Sequence, residues 1–293
     1  MKSLIFKIIR YSGLPFFFRE FIQKNRVSIL LFHNINKKDA EKAFDYITRK
    51  YNVISLQKYI DAVQNNTKLP KKALIITFDD GHVSNYNLLP VIKKHQIPVT
   101  IFLCASIINT KRHFWFLHEP IASMVEDLKK IPNQLRLKEL EKSGFVQEKE
   151  YEIREALDKI QLDEMKKWID FQSHTNYHPI LPQCTNAEAA DEIIGSKKIL
   201  ENELQLNIHT LSYPNGDYSE RDIELAKTAG YICGITVDYG YNTLNTDLFR
   251  LKRLSVNDTG DINELAVKAS GVWAFLKTRN GRKQPYGFSR VSG

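Results

Sequence analysis
The chain has 293 residues, 43% hydrophobic and 26% charged, an ordinary globular composition with enough length to bury one large core. Its net charge of +8 favours an anionic partner such as a membrane surface or an acidic glycan. The basic residues are spread along the chain, however, which argues against nucleic acid. Cys104, Cys184 and Cys233, odd in number and widely spaced, argue against a disulfide framework and predict reduced, buried thiols.

Residues 1–24 carry Leu4, Ile5, Ile8 and Ile9 at helical spacing, then Phe16, Phe17, Phe18, Phe21 and Ile22. Lys2, Lys7, Arg10, Arg19 and Lys24 interrupt them, so the stretch is too broken for a signal peptide or a bilayer-spanning helix. Two readings fit. One is a basic amphipathic segment, broken at Pro15, lying on an anionic membrane face. The other is a terminal helix packed against the rest of the protein. With no secretion signal, either reading gives a cytoplasmic protein, and the first makes it peripheral on the inner face of the membrane.

Residues 27–32 read as a strand ending at His33, and 39–50 as an amphipathic helix with Ala43, Phe44 and Ile47 on one side. A short strand at 53–54, a helix at 56–65 and a strand at 73–78 follow. Residues 83–95 are helical around Pro90, which is expected to kink or restart the helix. Residues 99–103 form the next strand. From 111 to 168 the alternation is interrupted by an aromatic, then highly charged, helix-rich insertion, expected to cap the body of the protein. Trp115 within it is a candidate to stack on a sugar ring, or else an anchor for the insertion. Alternation resumes with a strand at 169–172, a helix at 187–204, a strand at 208–212, a helix at 221–229 and strands at 232–237 and 251–256. A helix at 262–276 and a basic tail close the chain. This order is that of an α/β barrel or a doubly wound sheet.

Two stretches carry chemistry. Ala73-Leu74-Ile75-Ile76-Thr77-Phe78-Asp79-Asp80-Gly81 is a buried parallel strand stopping at two adjacent carboxylates. Like charges there repel each other and resist desolvation, so the pair needs a reason. Asp170-Phe171-Gln172-Ser173-His174-Thr175-Asn176-Tyr177-His178-Pro179 supplies two histidines four apart. If a helical turn begins at His174, both imidazoles lie on one face and can grip one ion. Two histidines and one carboxylate leave a position open for water, the signature of a catalytic metal site, although Fe(II) oxygenases use the same donor set.

Thr77-Phe78-Asp79-Asp80-Gly81, Ser173-His174-Thr175-Asn176-Tyr177-His178-Pro179 and Leu211-Ser212-Tyr213-Pro214-Asn215-Gly216 resemble, in order and spacing, three motifs of the polysaccharide deacetylases with a NodB-type domain, carbohydrate esterase family 4. The resemblance covers about residues 26–256. It implies a distorted (β/α) barrel over 26–258, with the helical insertion at about 111–168, flanked by an N-terminal segment (1–25) and a C-terminal helix and tail (259–293). It also implies a divalent ion on Asp80, His174 and His178, with Asp79 as general base; two nitrogens and one oxygen fit Zn2+ well and leave iron, cobalt and nickel as alternatives. The backbone N–H of Asn215 is the implied oxyanion donor, and Tyr213 joins Trp115 as a substrate-binding candidate. Many family members carry an arginine where Ser212 stands, and Arg253 is the substitute candidate. The family's late histidine motif, which supplies the general acid, is not evident; His33, at the end of the first strand, is a candidate for that role, or else a structural histidine. The activity implied is metal-dependent removal of an acetyl group, N-acetyl before O-acetyl, from a surface polysaccharide or its lipid- or nucleotide-linked precursor. The alternative is a non-catalytic carbohydrate-binding relative.

Overall fold
The computed structural model describes residues 2–279; the basic tail from 280 onward lies outside the described residues. Eight strands form one parallel sheet: β1 (Ser28–Phe32), β2 (Asn52–Val53), β3 (Ala73–Phe78), β4 (Val99–Leu103), β5 (Ile169–Ser173), β6 (Thr210–Ser212), β7 (Cys233–Tyr239) and β8 (Leu251–Ser255). β1 pairs with both β8 and β3, which closes seven strands into a barrel. β2 stays outside the ring, attached only to the first two residues of β3. Closure is uneven: β5 and β6 share one residue pair, and the β7–β8 register shifts between Ile235 and Tyr239. The expected distorted (β/α) barrel is the observed fold.

Helices surround the ring. α1 (Lys2–Tyr11) and α2 (Leu14–Phe17) precede β1; α3 (Lys37–Lys50), α4 (Leu56–Gln64) and α5 (Leu89–His95) follow β1, β2 and β3. α6 (Val125–Leu128), α7 (Asn133–Lys142) and α8 (Lys159–Met165) belong to the insertion. α9 (Asn186–Ala190) and α10 (Ser196–Asn202) follow β5, α11 (Glu220–Thr228) follows β6, and α12 (Ile262–Ala269) and α13 (Val272–Arg279) close the described chain. Side-chain caps fix several starts: Asn36 accepts from Asp39 N–H on α3, Ser55 from Lys58 N–H on α4, and Asp158 forms a capping box on α8. Pro90 does restart its helix: a 3-10 stretch, Val83–Leu88, gives way to α5 with Pro90 in its first turn. The helix expected at 262–276 is instead two, broken at Gly271.

Strand alternation sorts the core into two sets. Leu30, Phe32, Leu74, Ile76 and Phe78 pack outward with Ala43, Phe44 and Ile47 of α3. Ile29, Ile75, Phe102, Ile235 and Leu251 form a second cluster. Residues alternating with the outward set point into the barrel, and near the strand ends they turn polar: Thr77, Gln172 and Arg253 are fully buried there. All three cysteines are buried and unpaired, as expected.

Candidate active site at the strand ends
In a parallel barrel the C-terminal ends of the strands converge on one mouth. Asp79 and Asp80 follow β3, His174 follows β5, Ser212 ends β6, and Arg253 lies on β8. Asp79 is 4% exposed and would be costly as a lone buried charge. Arg253 solves this with a fork of two bonds, Nη1 to Oδ1 at 2.7 Å and Nη2 to Oδ2 at 2.8 Å. The guanidinium also donates to Thr236 O at 2.8 Å and Ser212 Oγ at 3.0 Å, and Ser212 Oγ donates to Asp79 Oδ2 at 3.3 Å. Burial, the largest single influence, pulls the Asp79 carboxyl upward, but the charge and hydrogen bonds of Arg253 together with the nearby His174 outweigh it and hold Asp79 below the usual carboxylate range.

Asp80 turns the other way. Its backbone is left-handed, with φ of 72°, which aims its carboxylate at the histidines. Gly81 follows with φ of 76°, and a Cβ there would lie 2.7 Å from Leu103 Cδ2. His82 Nε2 lies 3.2 Å from Asp80 Oδ2 and orients that oxygen. The other oxygen, Oδ1, is buried without a hydrogen-bond partner. It sits 3.5 Å from His174 Nε2 and 3.6 Å from His178 Nε2.

His174 Nδ1 lies 2.8 Å from the Ser212 carbonyl, which can only accept, so Nδ1 carries the proton and Nε2 presents a lone pair. That Nε2 is also buried and unpartnered. Burial and the neighbouring His174 push His178 down to about 3, which keeps its imidazole neutral. The three donor atoms lie within 4.8 Å of one another. Two bonds of about 2.1 Å meeting at a tetrahedral angle place their ends about 3.4 Å apart, so these residues fit one small divalent ion.

The segment joining the two histidines is not the helical turn that their spacing allowed. β5 ends at Ser173, and residues 174–180 form an irregular loop in which Thr175 (φ 65°) and His178 (φ 55°) are left-handed. A β-branched residue there is strained, and the surroundings hold it. Ala105 N–H donates to Thr175 O, Ser106 N–H to Asn176 O, and His174 N–H to Leu103 O. The helix expected at 187–204 contributes too. A π-helical stretch, Asp191–Gly195, separates α9 from α10, and its Glu192 Oε2 accepts from Asn176 N–H at 2.8 Å and Tyr177 N–H at 2.9 Å. Gly195 lets the loop approach, since a Cβ there would lie 2.9 Å from Asn176 Nδ2.

Sequence reasoning missed Glu192 and His82. The signal for Glu192 was its place on the same helical stripe as Ala189, Ile193 and Ser196, all buried. Burial pushes the Glu192 carboxyl from 4.5 up to about 7, against the pull of the two N–H groups. The fold therefore holds an extra proton between pH 4.5 and 7, and this group's contribution to stability falls as pH rises through that window. Glu192→Gln keeps an oxygen for both N–H groups and loses the titration. Its stability relative to the parent is expected to rise by on the order of 2 kcal/mol from pH 4.5 to 7.5, read from urea unfolding at each pH.

Two expectations are corrected. Trp115 offers no face to a sugar: it is 2% exposed, its indole N–H donates to His178 O at 2.9 Å, and Arg136 lies 4.5 Å over its ring. Its role is to anchor the insertion against the histidine loop, and Phe116 adds a ring contact to His178 at 4.7 Å. Tyr213 is likewise fully buried, with its hydroxyl 3.2 Å from Phe249 O, so its side chain is not a binding surface either. The insertion is bonded into the site loops elsewhere as well, through the His82–Ala156 bridge and Leu157 N–H to Gly81 O.

Asn215 follows β6 with φ of 58°; its side chain donates to Asp217 Oδ2 at 2.6 Å. The turn is closed by Gly216 N–H to Tyr213 O and Asp217 N–H to Pro214 O, bonds that leave the Asn215 N–H out. His33 stands at the same mouth, one residue past Phe32, whose carbonyl accepts from Asp79 N–H. Its ring is 44% exposed, and Nδ1 lies 4.0 Å from Asp258 Oδ2.

The sequence model of the polysaccharide deacetylases matches residues 66–234. The chain is 24% identical to the Bacillus subtilis protein YxkH over 242 residues, 79% of this chain and 72% of that one. It is 25% identical to the poly-beta-1,6-N-acetyl-D-glucosamine N-deacetylase of Staphylococcus epidermidis over 273 residues, 80% of this chain and 81% of that one. In fold it is similar to the Streptococcus pyogenes deacetylase PplD in complex with acetate, with a TM-score of 0.61 at 20% identity, covering 86% of this chain and 98% of that one. The matched stretch is more than half of the chain and holds Asp79, Asp80, both histidines and the turn at Asn215; the protein belongs to the polysaccharide deacetylase family.

Proposed function
We propose that the chain removes N-acetyl groups from amino sugars of a polysaccharide, or of its lipid- or nucleotide-linked precursor, using one divalent ion, Zn2+, bound by Asp80, His174 and His178. The observation that carries this reading is the pair of buried, unpartnered atoms, Asp80 Oδ1 and His174 Nε2, aimed at one point beside a carboxylate that Arg253 keeps ionised. A resident divalent ion supplies a Lewis acid for the acetyl carbonyl and lowers the pKa of water. The preference for N-acetyl over O-acetyl draws on the Staphylococcus epidermidis relative, which is named for N-deacetylation.

In this reading Asp79 accepts the proton of the attacking water as the new C–O bond forms. The Asn215 backbone N–H donates to the oxyanion; losing such a donor costs about 3 kcal/mol of transition-state stabilisation. His33 gives a proton to the departing nitrogen as the C–N bond breaks, leaving acetate and a free amine. Arg253 and Ser212 hold Asp79, and Glu192, His82 and Trp115 hold the loops that carry the ion's ligands.

The test is acetate release by metal-loaded protein from β-1,6-linked N-acetylglucosamine oligomers, lipid- and nucleotide-linked N-acetylhexosamines, and an O-acetylated glycan. Release from the N-acetylated compounds is expected. Release from the O-acetylated glycan alone overturns the N-acetyl assignment, and none from any compound favours the non-catalytic alternative.

A further inference from the structure
α1 and the segment after it have two apolar sides, and the fold uses one. Phe6 and Phe18 are buried against Val267 and Val272 of α12 and α13. The other side is bare: Leu4 is 62% exposed, Ile8 63% and Tyr11 72%, a stripe at spacings of four and three along α1. Phe16, Phe17 and Phe21 extend it, at 58%, 50% and 65% exposed. Aromatic rings are rarely left in water in such numbers on one short segment.

The exposed charges of the segment itself have one sign, although the Asp261 carboxylate accepts from Ser3 at its start. Lys7, Lys24 and Arg26 are exposed, and Arg10 is half-buried. Glu20 is the segment's sole carboxylate, and it is taken up by Arg19 and Lys72. Beside the patch an apolar cavity of about 730 Å³ opens between Phe18, Phe21 and Ile22 on one side and Tyr241, Leu254 and Phe275 on the other. No described helix is long and apolar enough to cross a membrane. A ten-residue helix is about 15 Å long, half the hydrocarbon thickness, so the geometry is that of an element lying along an interface.

We propose that residues 4–26 dock the protein on an anionic lipid bilayer. The phenylalanines and the α1 stripe enter the headgroup boundary, the cations face anionic headgroups, and the cavity behind Phe21 receives the end of an acyl chain. Aromatic insertion and charge act together, as stable attachment of a soluble domain requires. The inference does not depend on the deacetylase reading.

The test is co-sedimentation of the full chain with vesicles of phosphatidylcholine containing about one third phosphatidylglycerol, against phosphatidylcholine alone. The parent is expected to bind the anionic vesicles at least about tenfold more tightly than the neutral ones. Phe16→Ser/Phe17→Ser/Phe21→Ser, and separately Lys7→Glu/Lys24→Glu/Arg26→Glu, are expected each to weaken that binding by about tenfold or more. Both variants are expected to keep the parent's thermal melt and its acetate release from soluble oligomers. A parent that stays in the supernatant with anionic vesicles overturns the proposal. So does a serine variant that binds as the parent does, or light scattering that finds a parent dimer which the serine variant turns into a monomer.

Discussion
Asp79→Asn is expected to lower kcat for acetate release by about 10²- to 10⁴-fold while leaving bound metal unchanged. Asn fills the same space and keeps one oxygen for the Arg253 fork, but it cannot take a proton from water. The proposed ligands are Asp80, His174 and His178, and the cluster their donor atoms form does not include Asp79. Steady-state kinetics and elemental analysis on one preparation separate the two effects. If kcat falls less than about tenfold, Asp79 is not the base. If the metal is lost as well, Asp79 belongs to the binding site, and the division of labour between the adjacent carboxylates is wrong.

Arg253→Ala is expected to cost about 3–5 kcal/mol of stability, because it leaves a buried carboxylate without its counter-charge. It also empties a fully buried position at the barrel's mouth, where the guanidinium bonds Thr236, Ser212 and Asp79. An unpaired Asp79 in that interior resists ionisation, so kcat falls together with stability. The double variant Asp79→Asn/Arg253→Ala separates a coupled pair from two independent losses. Its stability loss is expected to be smaller than the sum of the single losses by about 1–3 kcal/mol, measured by urea unfolding. Additive losses mean that the fork contributes no coupling, and Arg253 is then a packing residue.

The barrel was legible because its strands are short apolar runs that stop at turn or charge signals, as at Ile75 and Ile76 before Asp79. The residues placed at its mouth were legible as motifs: the carboxylate pair, and the histidines four apart. What the sequence could not convey was how the chain holds them. The loop from His174 to His178 looked helical by spacing, yet it is held by left-handed Thr175 and His178 and by backbone bonds to residues 103–106, contacts distant in sequence. Glu192 was hidden inside a helix whose π-helical stretch has no local marker. Trp115 read as either a binding platform or an anchor, because an aromatic in an insertion gives no hint of its burial; its burial leaves the anchor. Arg253 could be proposed only from a gap elsewhere, Ser212 standing where an arginine was expected. The resolution is spatial: Ser212 and Arg253 meet at 3.0 Å around the same carboxylate.

The account rests on one ion held by Asp80, His174 and His178 beside an ionised Asp79. Its most direct test is metal content and acetate release measured on the same preparation through removal and replacement of the ion. The prediction is one divalent ion per chain, loss of ion and activity together on chelation, and recovery of both when Zn2+ is returned. Acetate release at the parent's rate from metal-free protein would contradict it, as would a chain that takes up no ion on reconstitution.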